Sequence, residues 1–123
     1  MTVSSKLGTY HICLQKGRDF IRLPLDQLSH LEVNQKTLYF YLTDGHVWQV
    51  PGTLAKYESF LMSNPHFVKI HRSYVVNLQH IAQLSSKDCI MFSGKNLPVS
   101  RSMYNDVRKR YMAYLFGHAE VEA

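Results

Sequence analysis

The stretch of residues 67–81 combines a strand-like pattern with several basic side chains. Lys69 and His71 alternate with Val68 and Ile70, which predicts a strand with one apolar face. The basic side chains are therefore attached to a strand whose apolar face has to be buried. A surface of this kind favours an acidic partner.

The apolar pattern is interrupted at residues 71–73, His-Arg-Ser, and resumes at residues 74–76 as a second strand. The interruption predicts a turn from which side chains project, and loops on a rigid scaffold are favoured places for recognition. Asn77 is predicted to end the second strand, because an Asn side chain bonds readily to its own neighbouring backbone.

Two motifs in this sequence resemble those of the LytTR family of bacterial DNA-binding domains. The first is Lys69-Ile70-His71-Arg72-Ser73-Tyr74 followed by Asn77-Leu78, and the second is Pro98-Val99-Ser100-Arg101. The family shows a basic residue, His-Arg-Ser-aromatic and Asn-Leu, then a Pro-Val-Ser-Arg-like turn. The resemblance extends, more weakly, from about Tyr10 to Tyr111.

Length and composition indicate a single packed domain. The chain has 123 residues with 46% hydrophobic content, too apolar for a disordered segment. We predict a flexible tail or linker remnant at residues 1–8, the domain at 9–116 and a second tail at 117–123. The formal net charge of +5 favours a polyanionic partner.

The pattern of apolar and turn residues predicts about ten strands and two short helices, so the fold class is mainly β and antiparallel. Asp44-Gly45 predicts a hairpin with a tight primed turn. One helix is predicted around residues 54–61, and a second from an N-cap at Ser102 to a stop at Gly117. Periodicity leaves sandwich and barrel open. The resemblance implies an elongated, sandwich-like stack of small sheets whose loops enter the major groove.

Cys13 and Cys89 both lie in apolar, strand-like settings without a CxxC motif or metal-ligand spacing. We predict two buried reduced thiols, with a disulfide as the minor alternative. No leader segment is visible, and no apolar run approaches the roughly twenty residues needed to span a bilayer. The sequence therefore predicts a cytoplasmic protein without membrane contact.

Arg72 and Arg101 are the candidates for base contacts. A guanidinium presents a rigid fork of donors that matches the O6 and N7 acceptors of guanine. The resemblance places both residues on DNA-facing loops. The competing interpretation is that each arginine pairs with a surface carboxylate.

Five residues are candidates for contacts with the DNA backbone, which position a protein without reading sequence. They are Lys69, His71, Ser73, Ser100 and, in a third loop implied by the resemblance, Lys36. For His71 and Ser73, a structural role inside the turn is at least as consistent with the sequence.

Catalysis has no visible basis in the sequence. The seven histidines are scattered, the acidic residues do not cluster, and no phosphate-binding Gly-rich loop occurs. We therefore predict a protein that is not an enzyme and has no cofactor or metal. Its partners, on the resemblance, are duplex DNA with repeated half-sites, a second copy on that DNA, and an upstream receiver domain or sensor kinase pathway.

Two other functions remain open at this point. A β-rich module could stack RNA or single-stranded DNA on aromatic side chains at residues 39, 40, 41 and 48. A protein-interaction domain could bind an acidic protein through its basic face.

Overall fold

Ten strands and two α-helices form residues 10–118, the part of the chain described by this computed structural model. The strands are β1 (His11–Lys16), β2 (Asp19–Pro24), β3 (Leu28–Asn34), β4 (Thr37–Leu42), β5 (Val47–Pro51), β6 (Phe67–His71), β7 (Tyr74–Asn77), β8 (Ile81–Leu84), β9 (Asp88–Met91) and β10 (Asn96–Pro98). The helices are α1 (Ala55–Met62) and α2 (Tyr104–His118), and short 3₁₀ turns occupy Leu25–Gln27 and Leu78–His80. The predicted tail at residues 1–8 lies outside the described residues, as do residues 119–123.

The strands form three antiparallel sheets. β1 and β2 make a two-stranded ribbon, β5-β4-β3-β7-β6 make the central five-stranded sheet, and β10-β9-β8 make a three-stranded sheet. This confirms the mainly β class, the strand number and the stack of small sheets. The connections that pair neighbouring strands are short, as their turn residues predict.

Both faces of the central sheet are buried. Leu31 and Val75 face a core that includes the β1–β2 ribbon and α1, whereas Val68 and Val76 face a second core with β8–β10 and α2. In β6 the predicted apolar face is present, because Val68 and Ile70 are buried and Lys69 and His71 on the other face are half-buried. Phe67, at the start of the strand, is the exception. Phe67 and Val68 are each 1% exposed, because their strand separates two cores.

Asn77 ends β7, as predicted, and also ties the central sheet to an earlier part of the chain. Its buried side-chain amide donates to the carbonyl oxygens of Leu25 at 3.3 Å and Leu28 at 3.0 Å. Its Oδ1 accepts from the Gln79 amide at 3.0 Å. One polar side chain thus satisfies three backbone groups, which makes its burial favourable.

The Asp44-Gly45 hairpin forms, but the predicted primed turn is wrong. Leu42 and His46 flank a three-residue loop in which Gly45 has a φ of 97°. Two consecutive positive φ values instead occur at Gln35 and Lys36, 50° and 66°, between β3 and β4. A two-residue connection in a twisted hairpin favours a primed turn, and the type I′ form has positive φ at both central residues.

Both predicted helices are present, but the second is longer than predicted. α2 continues through Gly117 to His118, so Gly117 does not stop it. The buried Val107 packs into the second core, and the Tyr111 hydroxyl donates to the Ile81 carbonyl at 3.1 Å. These contacts anchor the earlier part of α2, and Gly117 takes a helical φ rather than the positive φ of a C-cap glycine. The Ser102 hydroxyl hydrogen-bonds the Ser100 hydroxyl at 3.0 Å.

The two cysteines are free thiols in different environments. Cys89 is buried, as predicted, and burial raises the pKa of its thiol to about 12. Cys13 is exposed, so that prediction is wrong. Strand alternation puts Cys13 on the outer face of the ribbon, while Ile12 and Leu14 turn inward. Within residues 10–118, no helix has the length and apolar character to cross a bilayer.

Candidate nucleic-acid interface

Three connections meet at one end of the central sheet. β3 finishes at Asn34, and β7 begins at Tyr74, opposite Glu32 in the antiparallel register. The turn at residues 35–36 and the turn at residues 72–73 therefore lie at the same end. We call this region, with the segment at residues 100–101, the three-loop end.

Backbone hydrogen bonds fix these loops to the sheet. The Ser100 amide donates to the Ile70 carbonyl at 2.7 Å, which attaches the Pro-Val-Ser-Arg segment to the end of β6. The Val33 amide donates to the Ser73 carbonyl at 2.9 Å, and the Gly52 amide donates to the Lys36 carbonyl at 2.8 Å. The loops are thus held by a rigid scaffold, which suits a recognition surface.

Arg72 and Arg101 are both exposed at this end. Among residues 10–118, the ion pairs join Lys69 to Glu58 and His46 to Asp44, and neither arginine has an acidic partner. Among the described residues, no carboxylate therefore forms the surface ion pair that the competing interpretation requires. The two guanidinium groups retain their donors for an external acceptor.

His71 has a structural role inside its turn. Its Nδ1 accepts a hydrogen bond from the Ser73 amide at 3.1 Å, and its ring lies 5.6 Å from the Tyr74 ring. This contact folds the backbone on both sides of Arg72. It matches the structural alternative for His71, and the predicted phosphate contacts of His71 and Ser73 remain predictions.

The two candidate lysines differ in their environments. Lys69 is half-buried, and its Nζ lies 3.3 Å from Glu58 Oε1 on α1. Lys36 is exposed at the tip of the β3–β4 turn. A phosphate would therefore compete with Glu58 for Lys69, whereas Lys36 has no acidic partner among the described residues.

Glu32 stiffens the start of β7. Its carboxylate accepts from the Tyr41 hydroxyl at 3.1 Å and from the Tyr74 hydroxyl at 3.4 Å. Burial, together with the nearby Glu32 charge, raises the pKa of Tyr41 to about 12 and also raises the pKa of Tyr74. Both hydroxyls therefore stay protonated and keep donating near neutral pH.

The aromatic residues of β4 and β5 are largely committed to the protein itself. Phe40 is buried, and the partly buried Trp48 packs against the first core. The Tyr41 ring stacks on His30 at 4.3 Å, with the Lys95 ammonium 5.4 Å from its centre. These contacts weigh against a single-strand stacking platform, which needs open aromatic faces.

The sequence interpretation missed two residues beside Arg101. Lys87, in the β8–β9 turn, and Asn105, in the first turn of α2, line the same cleft as Arg101. The sequence showed Lys87 only as a basic residue in a Ser-Ser-Lys-Asp turn. The fold brings that turn next to the three-loop end. Among the residues the structure describes, no group of three metal-ligating side chains is present.

Comparison with known proteins identifies the family. The family model of the LytTr DNA-binding domain matches residues 18–112, which is most of the chain and includes both motifs. The chain belongs to this family. The LytTR family is one of DNA-binding domains rather than of catalysts.

This LytTR domain is similar in sequence to a longer protein and in fold to a solved domain. It is 27% identical over 116 residues to the sensory transduction protein LytT of Bacillus subtilis, an alignment that covers 86% of this chain and 45% of LytT. The chain thus spans less than half the length of that relative. A solved LytTr DNA-binding domain from Bacillus cereus, 24% identical, has the same fold with a TM-score of 0.65, covering 83% of this chain and 95% of that one.

Proposed function

We propose that this LytTR domain binds duplex DNA sequence-specifically and inserts the three-loop end into the major groove. The observation that carries the proposal is the pair of exposed arginines, Arg72 and Arg101, at one end of the sheet without a described acidic partner. Each guanidinium fits the edge of a guanine. One bidentate arginine–guanine contact contributes roughly 1–3 kcal/mol of discrimination against a wrong base.

Residues around the arginines would hold the DNA backbone. Lys36, Ser73 and Ser100 lie in the loops of the three-loop end and could reach phosphates beside the groove. Lys69 and His71 would make weaker contacts with the DNA backbone, because each already has a partner within the protein. Phosphate contacts would set the position of the arginines on the duplex.

We infer that two copies act together on repeated half-sites. One module of this size buries on the order of 600–1,000 Å² on DNA, which limits the affinity of a single copy. We also infer that the domain operates downstream of a receiver domain or sensor kinase pathway. This inference is supported by the likeness to LytT, a sensory transduction protein more than twice as long as the aligned region.

A selection from a pool of randomised duplexes tests the proposal. The domain is titrated against the pool at two salt concentrations, and the bound fraction is sequenced. Enrichment of a repeated motif with steep salt dependence is the expected result. Binding without enrichment would contradict sequence specificity, and preference for single strands over duplex would favour the stacking alternative.

A further inference from the structure

A cleft of about 410 Å³ lies beside the three-loop end, and apart from Arg101 its lining residues have no part in the contacts proposed above. Arg101 forms part of its wall, so the cleft begins where the base-contacting loop ends. The remaining walls come from the β8–β9 turn and the first turn of α2. Its lining residues are Ser86, Lys87, Val99, Arg101, Tyr104 and Asn105.

Backbone hydrogen bonds hold both walls in place. The Val99 amide donates to the Lys87 carbonyl at 2.9 Å, which fixes the β8–β9 turn against the Pro-Val-Ser-Arg segment. On the other side, the amides of Met103 and Tyr104 both donate to the Ser100 carbonyl, at 3.1 and 3.0 Å. The backbone of both walls is therefore attached to the segment that carries Arg101.

The cleft has the charge and donors that suit an anion. Lys87 and Arg101 are exposed cations, and neither forms an ion pair with a carboxylate in residues 10–118. Asn105 and Ser86 add an amide and a hydroxyl that can donate hydrogen bonds. Asp88 and Asp106 are neighbours in sequence, but neither lines the cleft.

We propose that this cleft binds a backbone phosphate of the same duplex, with Lys87 as the main contact and Asn105 as a hydrogen-bond donor. The proposal rests on the proposed DNA binding through the three-loop end. It adds a fourth loop to the interface. The footprint on DNA then extends beyond the base read by Arg101, on the side facing β9 and α2.

The test measures the affinity and salt dependence of four proteins: wild type, Lys87→Ala, Asn105→Ala and, as a charge-matched control, Lys95→Ala. Lys95 is exposed on the β9–β10 turn and lines a separate cleft with Gly45, at the opposite end of the central sheet. Each protein is titrated with a selected duplex and with a random duplex. Thermal melting establishes that every variant is folded.

Lys87→Ala is expected to weaken binding by about threefold to tenfold on both duplexes alike and to lower the salt slope by about 0.9, the loss of one phosphate contact. Asn105→Ala is expected to weaken binding by a smaller factor without changing the slope. Lys95→Ala should leave the slope unchanged. On a duplex that carries a single half-site, trimming from each end in turn should abolish the effect of Lys87→Ala at one end only.

An unchanged slope for Lys87→Ala, with wild-type protein still binding duplex in a salt-dependent way, would overturn the fourth contact and leave the proposed function standing. An equal slope change for Lys87→Ala and Lys95→Ala would also overturn it, because the effect would then be one of net charge. Failure of wild-type protein to bind any duplex at low salt would overturn both proposals.

Discussion

His30 is an ionisable side chain that the fold buries almost completely. It is 1% exposed, its Nδ1 lies 3.2 Å from the Ser29 hydroxyl, and its ring stacks on Tyr41. Its Nε2 is buried without a hydrogen-bond partner in the described structure. Burial and, to a lesser extent, the nearby Lys95 charge lower the pKa of His30 from 6.5 to about 4.

The pKa of His30 predicts acid-sensitive stability. The unfolded chain binds a proton at His30 near pH 6.5, whereas the folded chain does so only near pH 4, so the free energy of unfolding falls as the pH decreases across this window. The contribution is roughly 3 kcal/mol in total. Urea unfolding of wild type and His30→Phe at several pH values measures it.

The expected outcome is a smaller loss of stability between pH 7 and pH 4.5 for His30→Phe than for wild type. Phe retains the stacking on Tyr41 and cannot bind a proton, while the other histidines contribute equally to both proteins. Parallel pH profiles for the two proteins would contradict a low pKa for His30.

At the scale of elements, the β3–β4 turn carries conformational strain. Gln35 and Lys36 adopt positive φ values of 50° and 66°, a region that costs an ordinary L-residue roughly 1–2 kcal/mol. Gln35→Asn is expected to raise the free energy of unfolding by about 0.5–1 kcal/mol, because Asn tolerates this region. Chemical denaturation measures the change without altering the charge of the three-loop end.

Gln49→Asn provides the control for this prediction. Gln49 is exposed in β5, opposite Tyr39, where the backbone is extended and Asn is disfavoured. The same substitution should therefore reduce stability slightly there. A loss of stability for Gln35→Asn as well would show that the positive φ values of the turn are not a source of strain.

Most elements were predictable from the sequence because their patterns are local. The hairpin at Asp44-Gly45, the turn at residues 71–73 and the α1 pattern each depend on adjacent residues. The strain at Gln35 and Lys36 was not predictable, since neither residue type favours positive φ. It arises because Asn34 pairs with Thr37 and leaves only two residues to connect two twisted strands.

Contacts between distant segments account for the remaining failures. Cys13 looked like a core residue, but its strand belongs to a two-stranded ribbon with a single covered face. The ion pair of Lys69 with Glu58 joins β6 to α1 and has no local sequence signal.

At the scale of the whole molecule, the central sheet has two roles. Its two buried faces provide the cores, and one of its ends carries the basic loops. The candidate arginines were predictable from the two motifs. Their common location was not, because it depends on the Ser100-to-Ile70 and Val33-to-Ser73 hydrogen bonds. Lys87 joins them only through the packing of the three-stranded sheet.

The central claim is that the three-loop end reads base identity through Arg72 and Arg101. The measurement that tests it most directly is the affinity of wild type, Arg72→Ala, Arg101→Ala and the Lys95→Ala control for the selected duplex, each of its single-base variants and a random duplex. Each arginine variant is predicted to lose about 1–3 kcal/mol on the selected duplex and to relax preference at one base position. Equal losses on selected and random duplexes for both arginine variants would contradict the claim.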